Sequence, residues 1–123
     1  MKFDIAIIGG GPGGYTAAEK AAKAGLQVVL FEKEDLGGTC LNRGCMPTKA
    51  LLHSAETYSI LGKAEELGVR TYETDYDFGA MHARKDQVVE TLRQGVEKLM
   101  KSNKITVVQG QGCIEAPGVV TCD

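Results

Sequence analysis

Ile5-Ala6-Ile7-Ile8-Gly9-Gly10-Gly11-Pro12-Gly13-Gly14 is the stretch on which the fold turns. Phe3 to Ile8 is a short, β-branched, mostly apolar run, the pattern of a strand buried in a parallel sheet. Glycines 9–11 end it. From about Gly13 to Ala24, the residues Ala17, Ala18, Ala21 and Ala22 form a small-residue stripe at helical spacing. Gly25 stands where a helix commonly stops. Gln27 to Glu32 then reads as a second strand. The chain up to residue 32 is therefore a β-α-β unit, and such crossovers are almost always right-handed.

The glycines satisfy G-x-G-x-x-G with Gly9, Gly11 and Gly14 in the key places. Alone that pattern is weak, because glycine-rich turns are common. Here it follows a predicted strand and opens a predicted helix, which is the required context. Gly9 permits the tight turn, Gly11 lets backbone approach a pyrophosphate, and Gly14 lets the helix lie close on the strand. Pro12 and Gly13 belong to the same turn and join the candidate cofactor contacts. The helix N-terminus offers free N–H groups and a favourable dipole to phosphates. Glu32 closes the second strand, where a carboxylate can accept hydrogen bonds from ribose hydroxyls and repels a 2′-phosphate. Its neighbour Lys33 is grouped with it. The competing reading of Glu32 is a solvated strand end.

Further along, Gly37-Gly38-Thr39-Cys40-Leu41-Asn42-Arg43-Gly44-Cys45-Met46-Pro47-Thr48-Lys49 carries two cysteines in a glycine-rich frame. In an undistorted helix their Cα atoms lie somewhat beyond the roughly 7 Å limit for a bridge, and Gly44 supplies the freedom that closing it needs. Cys45 sits just ahead of a helix led by Pro47, whose missing N–H suits a first turn. The helix dipole favours a thiolate there. Zinc is a rival, but structural zinc sites pair cysteines two to four residues apart and need four ligands. Neither His53 nor His82 has such spacing. A structural disulfide is another reading, but a cytosolic chain rarely keeps one; two inert thiols are the last, and they do not explain the glycines.

Leu51, Leu52, Ala55, Tyr58 and Leu61 give a helical stripe ending near Gly62. A polar stretch runs from about Gly68 to Gly79, and a long helix follows with Val88, Val89, Leu92, Val96, Leu99 and Met100 on one face. Ile105 to Val108, Cys113-Ile114 and Val119-Val120 read as three short strands. The expectation is an α/β fold of three layers, Rossmann-like, with a parallel sheet and a small antiparallel β-meander. Residues 1–104 hold the β-α-β unit, the redox segment and the long helix, and residues 105–123 the meander. The 123 residues suffice for one modest domain. A formal net charge of -2 argues against a nucleic-acid footprint. No apolar run approaches the roughly 20 residues of a membrane span. No signal peptide is recognisable, and a cytoplasmic protein is the default expectation.

G-G-x-C-L-x-x-G-C-x-P resembles the redox-active signature of the class I pyridine nucleotide–disulfide oxidoreductases, and every fixed position is met here. The continuation Pro47-Thr48-Lys49-Ala50-Leu51-Leu52-His53 is most similar to the dihydrolipoamide dehydrogenase branch. The resemblance covers the whole chain, including Gly110-x-Gly112, and corresponds to about the first quarter of such an enzyme. It implies an FAD-binding domain and a Cys40–Cys45 redox disulfide, with Cys40 as the interchange thiol and Cys45 as the flavin-side thiol. It implies that Lys49 sits near flavin N5, that Glu32 binds the adenosine ribose, that Thr39 lies close to the FAD phosphates, and that Gly112 lends backbone near the adenine. Cys113 and Cys122 match no family motif and read as ordinary strand residues.

Three features of the family are missing from the sequence: an NAD-binding domain, a return segment carrying an Asp toward the flavin, and an interface domain with a His–Glu pair. The chain is therefore expected to be a truncated, inactive piece of a longer enzyme. That enzyme would oxidise dihydrolipoamide, presented on a lipoyl carrier domain, with FAD as cofactor and NAD+ as final acceptor, and would be a homodimer. The rival within the family is another disulfide or mercuric reductase using NADPH. The rival outside it is a non-catalytic nucleotide-binding module. No resident metal is expected.

Overall fold

Val28–Glu32 is the only strand with every residue buried, and the sheet is built around it. The computed structural model describes residues 1–123. In chain order the elements are β1 (Ile5–Ile8), α1 (Pro12–Lys23), β2 (Val28–Glu32), α2 (Gly38–Arg43), α3 (Cys45–Leu61), a 3-10 turn (Ala64–Leu67), α4 (Phe78–Ser102), β3 (Thr106–Gln109), β4 (Gly112–Ala116) and β5 (Val119–Cys122). β2 lies between β1 and β3, and all three run parallel. Ile7 faces Leu30, and Leu30 faces Val107, across the ladder.

The reason for this order is apolar continuity. β2 is a run of Val, Val, Leu and Phe, so it is stable only with neighbours on both edges and cover on both faces. One face is covered by α1 and α4, whose Ala18 and Met100 meet Val28, Leu30 and Ile105 in a closed core. The other face carries the β4–β5 hairpin. A Cβ added to Gly112 would come within 2.9 Å of the Phe31 Cβ, so β4 crosses directly over the sheet there. Helices, parallel sheet and hairpin make the three layers.

Local chemistry sets the element ends. Pro12 opens α1, and Gly25 follows it in the left-handed region at φ +88°. The Asp4 carboxylate accepts from the Gln27 N–H at 2.8 Å and fixes the entry to β2. Asp77 caps α4 by accepting from the Ala80 N–H at 2.9 Å.

Four sequence expectations need correction. β1 is not a buried strand: Ile5 and Ile7 are half-buried toward the helices, whereas Ala6 and Ile8 are exposed, because the hairpin covers the far face only in part. Residues 105–123 are not one meander. β3 joins the parallel sheet beside β2, and only β4 and β5 pair antiparallel, since the 25-residue helix α4 carries the chain back to the start of the sheet. The apolar stripe of α3 is largely exposed, with Leu52 at 54% and Leu61 at 39%; α3 rests on α4, and only its Ala50 is buried. Finally, α3 begins at Cys45, with Pro47 inside its first turn rather than leading it. No helix is long and apolar enough to cross a membrane.

Candidate functional site

The C-terminal ends of β1 and β2 open onto a cleft of about 370 Å³, a size within the usual range for small-molecule sites. Ile8, Gly9 and Phe31 form its floor. Glu32 to Asp35 wall one side, Gly38, Thr39, Asn42 and Arg43 another, and Gly110 to Gly112 a third. A crevice beyond the carboxyl ends of parallel strands is where open α/β sheets take their ligands.

The glycine loop leaves β1 through Gly9, whose φ of +99° suits glycine. The Gly9 N–H donates to the Phe31 carbonyl at 2.8 Å, which ties the loop to β2. A side chain on Gly14 would overlap the Gly9 carbonyl, so this position admits only glycine. Gly11 faces Gly38: a Cβ on Gly38 would reach within 2.8 Å of the Gly11 Cα. The two glycine turns thus approach back to back. The Gly37 N–H also donates to the Gly10 carbonyl at 2.8 Å.

Glu32 is only 8% exposed. One carboxylate oxygen accepts from the Gly10 N–H at 2.7 Å, and the other from the Glu34 N–H at 2.8 Å. The carboxylate therefore organises the loop it faces. Each oxygen keeps a second lone pair for another donor. At the cleft mouth Arg43 pairs with Glu34 at 2.6 Å, and Arg93 with Asp35 at 3.0 Å.

Cys40 lies in α2 and Cys45 is the first residue of α3. They form a disulfide, with Cα atoms 4.7 Å apart. The approach is made by Gly44, where α2 and α3 are bent apart at φ -122° and ψ -100°. A Cβ there would come within 3.1 Å of the Thr39 carbonyl. Cys40 is half-buried, and Cys45 is exposed at the head of a 17-residue helix. Lys49 is exposed one turn further along α3. Cys113 is half-buried and Cys122 exposed, and both are free.

The structure brings Gly9, Glu32, Lys33, Thr39 and Gly112 together around the cleft. Gly11 and Gly14 stand behind it as packing positions, and a Cβ on Gly13 would meet nothing within 4 Å. Pro12, Cys40, Cys45 and Lys49 lie outside its lining. Sequence reasoning missed Phe31, Asn42, Arg43 and Gln111 as cleft residues. Asn42 alone left a signal. It is a short amide four positions after Gly38, the spacing at which such a side chain returns to a backbone carbonyl.

Residues 3–122 match the family described as pyridine nucleotide-disulphide oxidoreductase. The chain is 50% identical over 112 residues to a dihydrolipoyl dehydrogenase of Chlamydia muridarum, a match covering 91% of the chain and 24% of that protein. A dihydrolipoyl dehydrogenase of Bacillus subtilis is 48% identical over 118 residues, covering 96% of the chain and 25% of the relative. A mitochondrial dihydrolipoyl dehydrogenase of Pisum sativum is 46% identical over 122 residues, covering 98% and 24%. The chain spans about a quarter of the length of these relatives. With the family match running over nearly its whole length, the chain belongs to the pyridine nucleotide-disulphide oxidoreductase family.

Proposed function

We propose that the chain is the FAD-binding and redox-disulfide segment of a dihydrolipoyl dehydrogenase, a cytoplasmic homodimer that oxidises dihydrolipoamide on a lipoyl carrier domain and reduces NAD+. The observation that carries this reading is the closed Cys40–Cys45 pair on the Gly44 bend, beside a cleft whose walls are glycine backbone and one buried carboxylate.

The residues present fit the adenosine diphosphate half of FAD. Side chains on Gly38 or Gly112 would strike backbone or the sheet, so these positions leave bare backbone around the cleft. Gly9, Gly11, Pro12, Gly13, Gly14 and Thr39 would hold the pyrophosphate, Glu32 and Lys33 the ribose, and Gly112 the adenine end. Cys45 and Lys49, on adjacent turns of α3, would meet the flavin ring. When bound, FAD supplies the two-electron relay between thiols and pyridine nucleotide.

The chain's own chemistry is thiol–disulfide exchange. A substrate thiolate attacks the Cys40 sulfur, the Cys40–Cys45 bond breaks, and Cys45 leaves as a thiolate. The second substrate thiol attacks the mixed disulfide and releases Cys40. The substrate dithiol is thereby oxidised to its disulfide, and the cysteine pair takes up the two electrons. The N-terminus of α3 stabilises the departing Cys45 thiolate. Lys49 adds a positive charge one turn away.

Incubating the chain with dihydrolipoamide tests the exchange directly. Two new thiols per chain are expected, beyond those of Cys113 and Cys122, with one lipoamide formed. A pair inert to dihydrolipoamide in the native chain would refute the reading.

A further inference from the structure

The redox turn is held by a side chain that neither the glycine motif nor the cysteine signature accounts for. Asn42 stands on α2 between the two cysteines. Its Nδ2 donates to the Gly38 carbonyl at 3.0 Å and the Leu36 carbonyl at 3.1 Å, with the Asp35 carbonyl at 3.4 Å. Its Oδ1 is buried and meets no donor. Turning the amide over would set Oδ1 against three carbonyl oxygens, so the network fixes the orientation. An unsatisfied buried acceptor is a cost, and the contacts of Nδ2 must outweigh it.

The peptide between Leu36 and Gly37 is bonded at both ends. Its carbonyl accepts from Asn42, and its N–H donates to the Gly10 carbonyl at 2.8 Å. The Gly10 N–H in turn donates to Glu32 at 2.7 Å. A continuous line of hydrogen bonds thus runs from the cleft carboxylate to the helix that carries Cys40. That helix has only 6 residues and ends on the Gly44 bend, with Leu41 as its one buried side chain.

We propose that Asn42 is a positioning residue for the Cys40–Cys45 pair: with the disulfide open, it holds α2 where Cys40 can rejoin Cys45. The inference rests on the redox reading of the pair. The disulfide itself restrains α2 in the oxidised form, so the clamp matters most in the dithiol. Removing it lets the dithiol relax into more conformations and shifts the equilibrium toward the open pair. Cys40 and Cys45 are oxidised together on closing and reduced together on opening, with a dithiol reagent as the partner couple.

The test equilibrates the native chain with graded mixtures of reduced and oxidised dithiothreitol, and counts the open pair by alkylation and mass spectrometry. The wild-type pair is expected to open reversibly with the native circular dichroism retained. Asn42→Ala should open at a roughly tenfold lower ratio of reduced to oxidised reagent, about 30 mV toward easier reduction. Asn42→Ser keeps one donor and should fall between. Asn103→Ala loses a comparable bond to the Leu99 carbonyl, remote from the cysteines, and should leave the ratio unchanged. A ratio within twofold of wild type in Asn42→Ala, or in Asn42→Ser should the alanine variant not fold, overturns the proposal. A wild-type pair that opens only when the fold is lost defeats the redox reading itself, whatever Asn42 does.

Discussion

Gly13 and Gly14 are neighbours with opposite obligations. A Cβ on Gly14 would overlap the Gly9 carbonyl, and backbone on both sides leaves nothing to move aside cheaply. Gly14→Ala should therefore cost about 2–3 kcal/mol or more, the range of overpacked cores. A Cβ on Gly13 would meet nothing within 4 Å, and its φ is not in the left-handed region. Gly13→Ala should raise stability by up to about 1 kcal/mol, from helix propensity alone. Urea melts of the two variants separate the cases, and equal midpoints would contradict the packing account. The cysteines divide in a similar way. In Cys40→Ser, the exposed Cys45 at the head of α3 should alkylate with iodoacetamide several-fold faster than Cys40 does in Cys45→Ser. At this scale the sequence was legible where a residue's role is local. Gly9, Gly14 and the cysteine pair sit within short, patterned stretches. Arg43 was not legible as a cleft residue, because its role arises from what the fold sets beside it; Asn42 left only its spacing from Gly38, which says nothing of the cleft.

Among the elements, α4 shows the value of one cap. Asp77 satisfies the Ala80 N–H at the start of a helix that supplies Val96 and Met100 to the core. Asp77→Ala should lower stability by about 1 kcal/mol. A fall in the thermal midpoint of a few degrees is expected, and no change would mean that packing on α3 already fixes the helix start. The β-α-β unit was readable because its two strands are joined by one short helix. β3 was misplaced because its partner is β2, more than seventy residues earlier, and a parallel pairing leaves no turn signal between the strands. The α3 stripe misled for another reason. Periodicity reports an apolar face but not what covers it, and here Leu52, Ile60 and Leu61 face outward.

The whole molecule is thinly buried. Its accessible surface is 8553 Å², with 14 of 123 residues buried. A compact monomer of 13.1 kDa would expose about 6,400 Å² by the usual scaling. The excess lies partly along α3 and the segment after it, where Ile60, Leu67, Val69, Tyr72 and Tyr76 are exposed. Such a surface favours self-association, so size-exclusion should show a concentration-dependent increase in mass at micromolar protein. A monomer that binds no hydrophobic dye would count against this. FAD should bind the chain only weakly, because the cleft offers its adenosine half good contacts while Cys45 and Lys49 stand exposed on α3. A submicromolar dissociation constant by titration calorimetry would contradict that expectation.

The bridge between Cys40 and Cys45 spans a separation of only 5 residues. Closing so small a loop restrains the unfolded chain by about 2 kcal/mol, against about 4.7 kcal/mol for a loop of 100 residues. The bond is a clasp within one bend and not a staple between distant parts. The proposed exchange would open and reclose it. Because so little of the chain's topology hangs on it, opening the bond removes little of what holds the fold together.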